Sequence, residues 1–143
     1  MQFNIRMTTV YAVQMLSVLE YFRRESEAKG EEPEIIRIKL IQEHCGIGSR
    51  FLLEQVARVL RVVGITTTTK GPQGGCKLRK SLKDVKVKDL ELPGGEGIPR
   101  KVPKTPLSHA LVQDYDKHLQ KFYDTPVLEL PYFGTAESII LDK

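Results

Sequence analysis

The chain has 143 residues, 41% of them hydrophobic and 28% charged, which suits one domain with its own core and excludes a compositionally disordered chain. No apolar run approaches membrane-spanning length and the N-terminus lacks a signal-peptide pattern, so no membrane partner and a cytoplasmic location are expected. The net charge of +4 is uneven: between Ile35 and Leu90, 12 Lys and Arg stand against 4 Asp and Glu. A basic middle with acidic flanks suggests a surface facing a polyanion; a solvated face is the plain alternative.

Residues 8–27 read as a long helix that Thr8 or Thr9 can cap. Tyr11, Met15, Val18 and Phe22 recur at helical spacing, and Ala12, Leu16 and Leu19 widen the stripe. The polar stretch EAKGEEPE reads as a loop. Ile38 to Cys45 reads as a short helix, Gly46-Ile47-Gly48 as a tight turn, and Ser49 as the cap of a second helix ended by Gly64. Leu52, Val56, Val59 and Val63 form the expected buried stripe of that helix, with Arg50, Glu54, Arg58 and Arg61 opposite. Two helices joined by a glycine turn, the second bearing arginines, have helix-turn-helix geometry; a helical hairpin with a solvated face fits the pattern as well.

The next stretch, ITTTTKGPQGGCKL, separates the two readings. Ile65 to Thr69 is β-prone, 71–75 is a turn, and Cys76 to Leu78 returns antiparallel. Helix, turn, helix, hairpin is the order of a winged-helix domain, and Lys70, Lys77, Arg79 and Lys80 fall at or near the wing, in reach of phosphates or a minor groove. A phosphate-cradling glycine loop is the weaker reading, because no helix follows and GPQGG matches neither nucleotide fingerprint. A short helix is expected near Val87 to Leu90, then a Gly/Pro-rich loop. Thr105-Pro106 opens another long helix, with Leu107, Leu111, Tyr115, Leu119 and Phe122 along one face. A second copy of the chain would cover that stripe economically; packing on its own domain is the alternative. The segment VLELPYF is expected to dock locally.

Three stretches carry a resemblance to the Rrf-two family of bacterial winged-helix regulators, the IscR, NsrR and CymR group. FLLEQVARVLRVVGI resembles the family's recognition helix, KGPQGGCKL its wing signature, and LSHALVQDYDKHLQKFYD the dimerisation helix of its cluster-binding branch. The implied fold is mainly α with a small β-hairpin. It comprises a winged helix-turn-helix DNA-binding domain over 1–92, a loop over 93–105, and a dimerisation helix with a C-terminal tail over 106–143. The implied function is transcription regulation by a homodimer on double-stranded DNA, its recognition helices entering successive major grooves of a palindromic operator.

By the same resemblance, Ser49, Arg50, Phe51, Glu54, Gln55 and Arg58 would serve the major groove, and Lys70, Gly71, Gln73 and Lys77 would serve the wing. Glu54 would accept a hydrogen bond from a cytosine amino group, and Lys70 stands where the family has a minor-groove arginine. The family's cluster-bearing loop carries three cysteines; residues 93–105 carry none, so no iron–sulfur cluster and no metal are expected. His109 occupies the place of a family histidine ligand and reads as a helix-surface residue, since one imidazole cannot hold a cluster. Cys76 replaces the wing's aromatic and reads as a small buried hydrophobe. The family's basic N-terminal segment is replaced by Thr8-Thr9-Val10. That departure motivates the alternative function of a protein-interaction adaptor or effector-binding regulator that has lost operator binding. An enzyme is not expected: His44, His109 and His118 lack Ser or Cys partners at catalytic spacing, and His109, Asp114 and His118 are poorly aligned for a metal.

Overall fold

The structure, a computed structural model, describes residues 7–71, 74–90 and 105–141. Helix α1 spans Met7–Ala28, about 33 Å at the α-helical rise. Ala12, Met15, Leu16, Val18 and Leu19 are buried along it, and α1 contacts the two helices that follow, the hairpin and the C-terminal tail. The expected cap is corrected: α1 already includes Met7, so neither Thr8 nor Thr9 begins it, and Thr9 is buried.

Helix α2, Ile38–Cys45, has the expected bounds and ends on Gly46 in the left-handed conformation. Helix α3, Arg50–Val62, begins where the Ser49 hydroxyl accepts the Leu52 amide at 3.2 Å. Its buried face is Leu53, Val56, Ala57 and Leu60, which corrects the expected stripe. Val56 is inside as expected, but Leu52 and Val59 are only half-buried and Val63 is exposed. The buried face is thus rotated by most of one residue step, about 100°. Apolar residues lie on both sides of this helix, and packing against α1 and α2 decides which side turns in.

Gly64 ends α3 with φ +84. Its amide bonds the Arg61 carbonyl at 3.0 Å, and the Ile65 amide reaches the Leu60 carbonyl at 3.0 Å. These two bonds form a Schellman motif, which needs a left-handed residue between them. Ile65 and Leu60 are both buried, so the apolar contact of the motif is present too.

The chain then enters strand β1, Thr66–Thr69, paired antiparallel with β2, Gly75–Leu78, in the register Thr66 to Leu78 and Thr69 to Gly75. A third segment joins this hairpin. Ile36 exchanges two backbone hydrogen bonds with Cys76, each 2.8 Å. The approach is close enough that a Cβ on Gly75 would stand 2.1 Å from the Ile36 carbonyl oxygen. Two short 3-10 turns, Leu82–Asp84 and Val87–Leu90, bury Leu82, Val87 and Leu90.

Helix α4 spans Pro106–Tyr123. The expected loop before it lies outside the described residues, except for Thr105. After α4 the chain returns to the core. Pro126 bridges to Lys86, Val127 and Phe133 are buried, and the tail runs across α1. There Ser17 Oγ accepts the Gly134 amide at 2.8 Å and lies 2.6 Å from Ser138 Oγ, and Gln14 Nε2 donates to the Ser138 carbonyl at 2.6 Å. The end of the tail hooks onto α2: the Ile140 amide donates to the His44 carbonyl at 2.9 Å, and His44 Nδ1 donates to the Ile140 carbonyl at 2.6 Å.

Candidate nucleic-acid interface

Turning one apolar face of α3 inward leaves the opposite face outside. Arg50, Phe51, Glu54, Gln55, Arg58, Arg61 and Val62 are all exposed on it. The structure thereby brings together five of the residues expected at a major groove, all on one side of a helix whose start is fixed by Ser49. Arg50 Nε and Glu54 Oε1 lie 3.1 Å apart. Phe51 is 67% exposed and Val62 73%. Arg61 and Val62 were not among the expected contact residues. The turn-by-turn spacing from Phe51 and Glu54 through Arg58 to Arg61 and Val62 was the signal that could have found them.

The hairpin leaves directly from the Schellman end of α3. Lys70 and Gly71 are exposed beside its tip and Lys77 is exposed on β2; Gln73 lies outside the described residues. Neither Lys70 nor Lys77 has an ion-pair partner among the described residues. Strand alternation turns Cys76 inward beside Lys77. Cys76 is fully buried, and burial pushes its thiol up from the ordinary range, opposed by the Thr68 hydroxyl and the Arg61 charge. The expected role of a small buried hydrophobe matches this position.

Of the stripe on α4, Leu107 is exposed and Leu119 half-buried, while the side chains of His109, Leu111 and Tyr115 lie outside the described residues. Phe122 is half-buried and packs, with Tyr123, against the chain's own core.

With this geometry in hand, comparison with known proteins gives a divided answer. No family model matches the sequence, and no curated protein sequence matches it. Solved structures do match. IscR of T. potens aligns over 90% of this chain and 85% of its own, with 23% identity and a TM-score of 0.64. CymR (YrzC), the global cysteine regulator of B. subtilis, aligns over 90% and 96%, with 20% identity and a TM-score of 0.68. The oxidized form of Staphylococcus aureus CymR aligns over 99% and 100%, with 20% identity and a TM-score of 0.63. The chain has the winged-helix fold of these regulators. In their terms α2 and α3 are the helix-turn-helix and the β1–β2 hairpin is the wing. Among the described residues, no helix is long and apolar enough to cross a membrane.

Proposed function

We propose that the chain is a homodimeric DNA-binding transcriptional regulator of the Rrf-two type that works without an iron–sulfur cluster. The observation that carries this reading is the exposed face of α3, with Arg50, Phe51, Glu54, Gln55 and Arg58 along it, followed directly by a hairpin whose Lys70 and Lys77 have no ion-pair partner among the described residues. A helix of this kind fits a major groove. Arg50 and Arg58 supply charge, Glu54 accepts from a cytosine amino group, and Lys70 and Lys77 hold phosphates beside it. The 71% exposure of Leu107 supports a second subunit over the first turns of α4. Two recognition helices related by a dyad would then read a palindromic operator.

A cluster does not fit the donors. Three thiolates would be needed before the dimerisation helix, and the chain has two cysteines, both elsewhere. Cys45 ends α2 and Cys76 lies inside the wing, and burial favours the neutral thiol at both.

The test is duplex binding across a salt series, on sites selected from random sequences. The logarithm of affinity should fall linearly with the logarithm of salt, by about 0.9 per phosphate contact. A flat salt dependence would overturn the reading. The exposed Phe51 and Val62 favour one alternative, a protein-binding adaptor on the same fold. Pull-down with and without nuclease separates the two, since nuclease would release partners held through DNA and spare those held directly.

A further inference from the structure

A cleft of about 330 Å³ opens between α1 and the back of the wing, at the small end of the roughly 300–1,000 Å³ usual for ligand pockets. Its apolar lining is Leu19 and Phe22 of α1, Ile36 of the bridging segment, and Leu78 of β2. All but Leu19 are half-buried, so part of each faces the opening. Lys77, Arg79 and Lys80 of the wing also line the cleft, together with Arg23 of α1 and Glu34. Arg23 is already committed to Glu20 at 2.6 Å and Glu27 at 2.7 Å. The three wing cations have no ion-pair partner among the described residues.

An apolar lining with three unpaired cations suits one chemical class: a small organic anion, a carboxylate or sulfonate on an aromatic or branched aliphatic body. Burial of the body drives entry, and charge-assisted hydrogen bonds to the head fix its orientation. The Glu34 carboxylate disfavours anions charged at both ends. The position also implies a consequence. Lys77 is one of the cations assigned above to phosphate, and the Arg79 amide bonds the Ile65 carbonyl at 2.9 Å, which links the basic wall to the end of α3. An anion seated here takes Lys77 from DNA and lowers the positive potential of the wing.

We propose that this cleft binds a small organic anion with an apolar body and that the bound anion loosens the wing's hold on DNA. The second half rests on the DNA-binding reading; the first does not.

The probe is 1-anilinonaphthalene-8-sulfonate, titrated into the full chain and followed by its fluorescence. A saturable site is expected, weakened about tenfold by Lys80→Glu, the size of one lost charge-assisted contact. Lys121→Glu, a charge reversal on exposed α4, should leave it unchanged. Circular dichroism establishes that both variants are folded. The dye should also lower duplex affinity by about threefold to tenfold where sodium sulfate of equal ionic strength does not. Absence of a saturable site, a site indifferent to Lys80→Glu, or bound dye that leaves duplex affinity unchanged each overturns the proposal. Failure of the ligand-free protein to bind any duplex would instead defeat the DNA reading, and the dye titration would still decide the cleft.

Discussion

Arg50 Nε lies 3.1 Å from Glu54 Oε1, one turn apart at the exposed start of α3. Both side chains are more than half exposed, so the pair does little for the fold; ion pairs of this spacing contribute about 0.3–0.5 kcal/mol. Under the proposed DNA-binding function, the pair would hold the carboxylate outward where a base edge would pass.

Glu54→Ala should therefore leave the urea midpoint nearly unchanged, within about 0.5 kcal/mol. Its effect should appear on DNA. Discrimination at one cytosine of the selected site should fall by about 1–3 kcal/mol, read by competition with duplexes substituted at that position. Equal loss on every duplex would instead mark Glu54 as a residue that shapes α3 without reading a base.

The inward face of α3 has its own test. Leu53→Ala should cost about 2–5 kcal/mol, as deletions in closed cores do. Val63→Ala, in the stripe first expected inside but exposed in the structure, should stay within about 0.5 kcal/mol. Urea denaturation of the two variants distinguishes the observed rotation of the helix from the one its sequence first suggests.

That pair also marks where sequence reading succeeds and where it stops. The bounds of α2, the Ser49 cap and the Gly64 stop were legible because each is a local matter of one hydroxyl or one left-handed residue. The rotation of α3 was not, since Leu52, Val59 and Val63 offer nearly as good a stripe as Leu53, Ala57 and Leu60. Only the shape of α1 and α2 decides between them. Nor was the bond between Ile36 and Cys76 legible, because it joins segments 40 residues apart by backbone groups that every residue carries. At the candidate interface, the helix face and the wing lysines were readable from charge and spacing. The packing of Phe122 against its own core was not, because it depends on residues distant in the sequence.

Gly75→Ala should destabilise by about 1–3 kcal/mol, because its methyl group would meet the Ile36 carbonyl and force the strands apart. Gly48→Ala is the matched control. Nothing lies within 4 Å of its added carbon and its φ is not left-handed, so a change under about 0.5 kcal/mol is expected. Thermal or urea unfolding measures both.

Burial pushes the Cys45 thiol from its ordinary 9.0 up to about 12. In the unfolded chain the thiol ionises near 9, while in the folded protein it keeps its proton. Its contribution to stability is therefore complete below pH 9 and is lost as the pH rises from 9 toward 12. The stability of the parent should fall more steeply over that window than that of Cys45→Ala. Iodoacetamide at pH 8 should label neither Cys45 nor Cys76 until the protein is unfolded, since the thiolate is the reactive form.

Ser17 meets Ser138 across 121 residues of sequence, and that reach has a bearing on how the protein is made. Once the chain up to Leu78 has emerged, α1 can pack against α2, α3 and the wing. Its Ser17 flank stays wet until Gly134 and Ser138 leave the ribosome. Closure of the first helix thus waits on that segment, and a nascent chain paused before it would display an unfinished seam to chaperones.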